Sequence, residues 1–185
     1  SGRGPSGIAI IRLSGKDAIK ITELITKKKK INNKEINHCK FYDPSNDSLV
    51  DEGLLLLFTS PNSFTGDNLA EFHVHGSNAV IVKFLKVLSE QSNCRLAEPG
   101  EFTKIAFQNN KIDLLEAESI GDLIHSETEL QRQQAIKLVQ GNASNHYNNL
   151  REKLVKSLAY IEAKIDFAED DLPEKVLKEV HKSIK

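Results

Sequence analysis

The chain has no methionine, no tryptophan and only two cysteines, Cys39 and Cys94. Two cysteines without metal-ligand spacing exclude a disulfide-rich scaffold and a cysteine-built zinc site. They read as free thiols in a reducing compartment, so a cytoplasmic location is expected. With no methionine at any position, the natural start is expected to lie outside this sequence. An excess of charge of one sign is also missing: 25 basic residues face 26 acidic ones, a net charge of -1. No global field therefore draws the chain to nucleic acid or to a membrane surface. Long apolar runs are absent as well. The longest, residues 54–58, has the length of a strand and falls far short of the ~20 residues that span a bilayer. There is no signal-peptide pattern. A phosphate-binding loop is missing too: the nearest match runs from Gly2 to Gly7, but Ile8 stands where the lysine must be. What remains is 39% hydrophobic, enough for a sizeable core and too much for global disorder.

Two textures follow. Strand-like and helix-like patterns alternate through residues 1–112, whereas residues 113–185 read as helix. The β-branched run GIAIIRL, residues 7–13, predicts a strand, and residues 16–26 a helix with Asp17 as capping carboxylate. Residues 36–42 and 52–58 predict two strands joined by the turn 43–47. A strand over 69–75, an amphipathic helix over 78–88, a short strand over 94–97 and a short helix over 101–107 complete this part. Such alternation argues for an α/β or α+β domain. In the second part, Asp113 and Glu116 have capping-box spacing. Residues 130–139 continue as helix, with a break at Gly141-Asn142. Tyr147, Leu150, Leu154, Leu158, Ile161 and Ile165 then recur every three or four residues, giving a long helix with one apolar stripe that must pack on something. Pro173 interrupts it before a helix over 174–184. Lys27 to Lys30 and the cluster Glu169-Asp170-Asp171 read as solvated surface, with a phosphate or contact role as the rarer alternative.

The densest polar chemistry lies in PNSFTGDNLAEFHVHG, residues 61–76. A loop of turn residues and hydrogen-bonding side chains leads into the strand. Along that strand Ala70, Phe72 and Val74 point one way, and Glu71, His73 and His75 the other. Such a face is either solvent surface or the floor of a site. Two imidazoles at i and i+2 can meet one ion, but no further ligand set is evident, and no metal is expected. Ser63 and Thr65 lack a nucleophile elbow, so no catalytic residue is assigned. A lone carboxylate better suits the paired N–H donors of an amino-amide edge, which pterins and guanines carry. A second polar set spans residues 97–103 and 109–114. There Lys111 precedes the cap at Asp113 and has no capping job itself, which makes it a binding candidate.

Four stretches in order, GRGPSGIAIIRLSG, PNSFTGDNLAEFHVHG, RLAEPGEFTKIAFQNNKIDLLEAES and IEAKIDFAEDDLP, closely resemble the MnmE (TrmE) family of tRNA-modifying GTPases. The resemblance covers nearly the whole chain. It implies an α+β fold: an aminomethyltransferase-like, tetrahydrofolate-binding α/β domain over 1–112, followed by the first half of an all-α helical domain over 113–185. A GTPase domain, with its GTP, Mg and K, and the rest of the helical domain would come after Lys185. The implied function is synthesis of a 5-carboxymethylaminomethyl-type group on the wobble uridine of tRNA. MnmG, which uses FAD and NADH, would be the partner enzyme, and 5-formyl-tetrahydrofolate the one-carbon source. This part would bind the folate and form a homodimer, with no GTP hydrolysis of its own. Carried over onto matching positions, the folate contacts fall on Arg12, Glu71 and Lys111. His73 and His75, on the same strand face, are not carried over: either one of them orients Glu71 from behind the contact or both are plain surface. The sequence departs from the family pattern at Ser77 and Asn110, where glycine is usual, and at Ile105, where arginine is usual. The alternative is an interaction module that docks MnmG or tRNA without binding folate by itself. A true aminomethyltransferase is a third reading, which lacks a further domain of that enzyme.

Overall fold

Side-chain alternation organises the sheet. In β1 (Ser6–Ser14), Ala9, Ile11 and Leu13 are buried while Ile8, Ile10 and Arg12 face outward. The same period of two buries Cys39 and Phe41 in β2 (Asn37–Tyr42), and Leu55 and Leu57 in β3 (Leu49–Phe58). In β4 (Leu69–Gly76) it buries Ala70, Phe72 and Val74. A register slip of one residue would turn each set outward, so burial of one face fixes the pairing. The computed structural model describes residues 4–166; the break at Pro173, the helix over 174–184 and the acidic cluster at 169–171 lie outside the described residues.

The strands form one sheet in the order β1-β4-β3-β2, and every ladder is antiparallel. The only parallel pairing among the described residues is an isolated bridge between Asn33 and Leu57. The unit is therefore α+β. The α/β reading fails because none of the described helices is a crossover between neighbouring parallel strands. Helices α1 (Ala18–Thr26) and α2 (Asn78–Ser89) pack on the inner face through Ile21, Ile25, Phe84, Val87 and Leu88. Phe41, Phe72 and Phe84 are fully buried at its centre, with ring centroids 5.0 to 5.5 Å apart in edge-on or tilted contacts, the geometry that aromatic quadrupoles favour. Lys83 of α2 forms an ion pair with the buried Asp43, and Ser45 donates to the same carboxylate. That contact ties α2 to the turn between β2 and β3.

Two local expectations are corrected. Helix α1 begins at Ala18, and Asp17 caps it through its backbone carbonyl, with no hydrogen bond from the side chain. Residues 94–97 are not a strand. The chain turns back at Asn93, whose φ is 65°, and Cys94 N donates to Gln91 O, so the segment starts in a turn and has no strand beside it. Helix α3 (Glu101–Gln108) follows the turn at Pro99-Gly100.

The chain divides into two units, residues 1–112 and 113–185. The second is helical in its described part: α4 (Leu114–His125), α5 (Glu129–Val139) and α6 (Asn142–Asp166). Asp113 and Glu116 close a complete capping box on α4, and Thr128 and Gln131 do the same for α5. Gly141, at φ 74°, makes the break before α6, the left-handed turn that glycine adopts without strain. Tyr147, Leu150, Leu154, Leu158, Ile161 and Ile165 all remain exposed along α6.

Candidate functional site

Because β4 lies between β1 and β3, register decides what its outer face meets. Glu71 is flanked by Arg12 of β1 and Leu56 of β3, and His73 by Ile10 and Leu54. Directly opposed side chains in such ladders interact across about 5 Å. Glu71 Oε1 is 4.0 Å from Arg12 Nε, and Glu71 Oε2 is 4.0 Å from His73 Nε2. The first distance allows attraction between opposite charges, and both exceed a hydrogen bond. Among the described residues nothing donates a hydrogen bond to the Glu71 carboxylate, whose side chain is 26% exposed. It is an acceptor pair on an open face, beside a cation. The Arg12 guanidinium also lies 5.2 Å from the ring centroid of Phe102, in the first turn of α3, within cation–π range.

The loop that enters β4 is fastened from two sides. Ser14 and Thr65 share a hydroxyl–hydroxyl hydrogen bond of 2.7 Å, and Gly15 N donates to Asn68 O at 2.9 Å. From the other side, Asn109 Nδ2 donates to Thr65 O at 2.7 Å and Lys111 Nζ to Pro61 O at 3.1 Å. Within the loop, Ser63 donates to Asp67 O. Gly66 has φ 82°, and a Cβ there would lie 3.1 Å from Asn109 Cβ and 3.2 Å from Lys111 Cγ. The turn at 109–111 thus seats directly on the loop because residue 66 has no side chain.

The residues singled out from sequence do not all converge. The structure brings Arg12, Glu71 and His73 together. Lys111 sits on the 61–67 loop, and no described contact joins it to Arg12 or Glu71. His75 is engaged in a separate pair: its Nδ1 is 2.8 Å from Asp51 Oδ1, and its backbone N donates to Asp51 Oδ2 at 2.7 Å. Burial pushes the Asp51 carboxyl up, but the hydrogen bonds from the His75 ring and backbone outweigh it and hold it below its ordinary value. Asp51 is the contact residue that sequence reasoning missed, its one signal being a carboxylate next to an apolar strand; Phe102 and Asn109 lay within the second polar stretch but had no assigned role.

A cavity of about 700 Å³ opens beside the edge strand β1 and is lined by Ile11, Leu13, Ile21, Leu85, Leu96 and Phe102, among others. Arg12 borders it, whereas Glu71 and Lys111 do not. Among the described residues no three His, Cys, Asp or Glu side chains are placed to share a metal ion. No described helix is long and apolar enough to cross a membrane.

Fold and face together define a class: an antiparallel α+β unit that presents an acceptor carboxylate beside an arginine, followed in sequence by a helical unit. Comparison with known proteins gives the family. Residues 1–111 match the family described as GTP-binding protein TrmE N-terminus, and residues 114–185 match the MnmE helical domain. The chain belongs to the MnmE (TrmE) family. It is 53% identical over 182 residues to the tRNA modification GTPase MnmE of Pelagibacter ubique, covering 98% of this chain and 41% of that protein. The MnmE of Rickettsia typhi is 39% identical over 184 residues, covering 98% and 41%, and that of Parvibaculum lavamentivorans 42% over 170 residues, covering 92% and 39%. The chain thus spans about two-fifths of the length of these relatives.

Proposed function

We propose that residues 1–112 bind a reduced folate, 5-formyl-tetrahydrofolate, on the outer face of the sheet, as part of a GTPase that modifies the wobble uridine of tRNA. The observation that carries this reading is the Glu71 carboxylate, with both oxygens unclaimed by hydrogen bonds among the described residues and a guanidinium 4.0 Å away. A pterin edge offers two adjacent N–H donors, and a carboxylate accepts both. Arg12 and Lys111 would supply donors and positive charge to the folate's oxygens or carboxylates. Lys111 has to leave the Pro61 carbonyl to do so, or it acts by holding the loop. When bound, the folate supplies a one-carbon unit. The chain's own residues bind and orient it.

Homodimerisation belongs to the same proposal. Ile8, Ile10 and Leu54 are exposed apolar residues on the outer sheet side, and Ile36 is exposed just before β2; a partner surface would cover them. MnmG, with FAD and NADH, and tRNA are proposed partners of the whole protein, and GTP hydrolysis is proposed for it outside residues 1–185. The binding test is a calorimetric titration with 5-formyl-tetrahydrofolate and, separately, with p-aminobenzoyl-glutamate, which lacks the pterin. The reading expects heat from the first and none from the second. The opposite pattern would move recognition away from Glu71. Absence of heat with either would favour the interaction-module reading, for which the exposed stripe of α6 is the supporting observation.

A further inference from the structure

We propose that His73 is the positioning residue of the Glu71 site: its Nε2–H closes onto Glu71 Oε2 and holds the carboxylate plane toward the incoming donor pair. The inference rests on the folate reading above and adds to it the group that orients the acceptor.

His73 Nε2 is shut off from solvent and has no hydrogen-bond partner among the described residues. Buried polar atoms without a partner are rare, and each calls for an explanation. Its neighbours across the sheet, Ile10 and Leu54, are apolar and offer nothing. The titratable and charged side chains nearest it in the sheet register are Glu71 and His75 on β4, Arg12 on β1 and Glu52 on β3. His75 is taken by Asp51, and Glu52 lies close to His38 and Lys40. Arg12 cannot accept from an imidazole, and it donates no hydrogen bond to Nε2 either. Glu71 Oε2, 4.0 Å away, is the remaining acceptor. A shift of about 1 Å brings the pair to hydrogen-bond distance, within reach of a rotation of the half-buried Glu71 side chain. A carboxylate has about four lone-pair sites, so accepting from His73 leaves room for both donors of the ligand. The hydrogen bond would remove the torsional freedom that Glu71 otherwise loses on binding.

The experiment is a double-mutant cycle in the full-length protein, with affinity for 5-formyl-tetrahydrofolate as readout. Gln places an N–H donor at nearly the reach of the imidazole Nε2, whereas Leu fills similar space without one. His73→Gln is expected to stay within about twofold of wild type, and His73→Leu to lose about tenfold, the worth of one charge-assisted hydrogen bond. Added to Glu71→Ala, His73→Leu is expected to cost less than about twofold, because its target is gone. A second readout is the nitrogen NMR spectrum of histidine-labelled protein, in which ligand should bring up a slowly exchanging Nε2–H from His73. Equal losses from Gln and Leu, or the same loss from Leu with and without Glu71, would overturn the positioning role. Failure of the wild type to bind would instead overturn the folate reading itself, and this inference with it.

Discussion

Replacing Gly66 by alanine tests how the site loop is seated. Two separate costs add at this position. The backbone sits at φ 82°, a left-handed conformation that costs an L-residue about 1–2 kcal/mol. The new Cβ would also lie 3.1 Å from Asn109 Cβ and 3.2 and 3.3 Å from Lys111 Cγ and Cδ. The lysine stem can move aside. Asn109 cannot move freely, because its side chain holds Thr65 O and its backbone N holds Ile105 O. A further loss of about 1 kcal/mol is expected from this small overpacking. In a unit of this size a total of about 2–3 kcal/mol corresponds to a fall in Tm of roughly 8–12 °C. Gly100 is the control: it has φ 77° but nothing within 4 Å of an added Cβ. Gly100→Ala should therefore carry the backbone cost alone, about 1–2 kcal/mol. Thermal unfolding followed by circular dichroism reads both. Equal shifts at the two positions would refute the claim that the 109–111 turn packs against residue 66, and an unchanged Tm for Gly66→Ala would refute the strained backbone as well.

Arg12→Lys keeps the charge but loses the planar fork and its stacking on Phe102, so it should weaken folate binding several-fold, read by the same calorimetry; unchanged affinity would reduce Arg12 to a point charge. Asp43 tests a structural contact by pH. The hydrogen bond from Lys83, with those from Ser45, holds its carboxyl at about 2. A lowered folded value means that this stabilisation is complete above an unfolded carboxyl value of about 4 and is lost as pH falls toward 2. Acid titration of Tm should therefore fall less steeply between those values in Asp43→Asn than in wild type, and parallel curves would contradict the assignment.

The inner face of β4 was legible in the sequence because Ala70, Phe72 and Val74 repeat with the strand period, and burial of one face allows no other register. The helical start at Asp113 was legible for a similar reason: both halves of its capping box lie within four residues. What the sequence did not reveal depends on distant segments meeting. Phe102 lies under Arg12 only because α3 returns to the edge of β1, and ninety residues of chain separate the two. Asp51 holds His75 only in the register that the β3–β4 ladder adopts. Four residues of strand-like composition, 94–97, form no strand, since propensity without a neighbouring edge leaves the backbone unpaired. Within the candidate site, the outward face of Glu71 and His73 could be read from alternation, but the division of labour between the two histidines could not. It is set by which acceptor each one meets.

The central claim is that Glu71 is the acceptor for a reduced folate. Its most direct test is calorimetry of wild type and Glu71→Ala against 5-formyl-tetrahydrofolate, in the full-length protein. A carboxylate that accepts two ring N–H donors in a half-buried setting is worth about 1.5–3 kcal/mol. Glu71→Ala is therefore expected to lose about tenfold or more in affinity, with no compensating change in Tm. Equal affinity of the two proteins would remove Glu71 from the site and contradict the account.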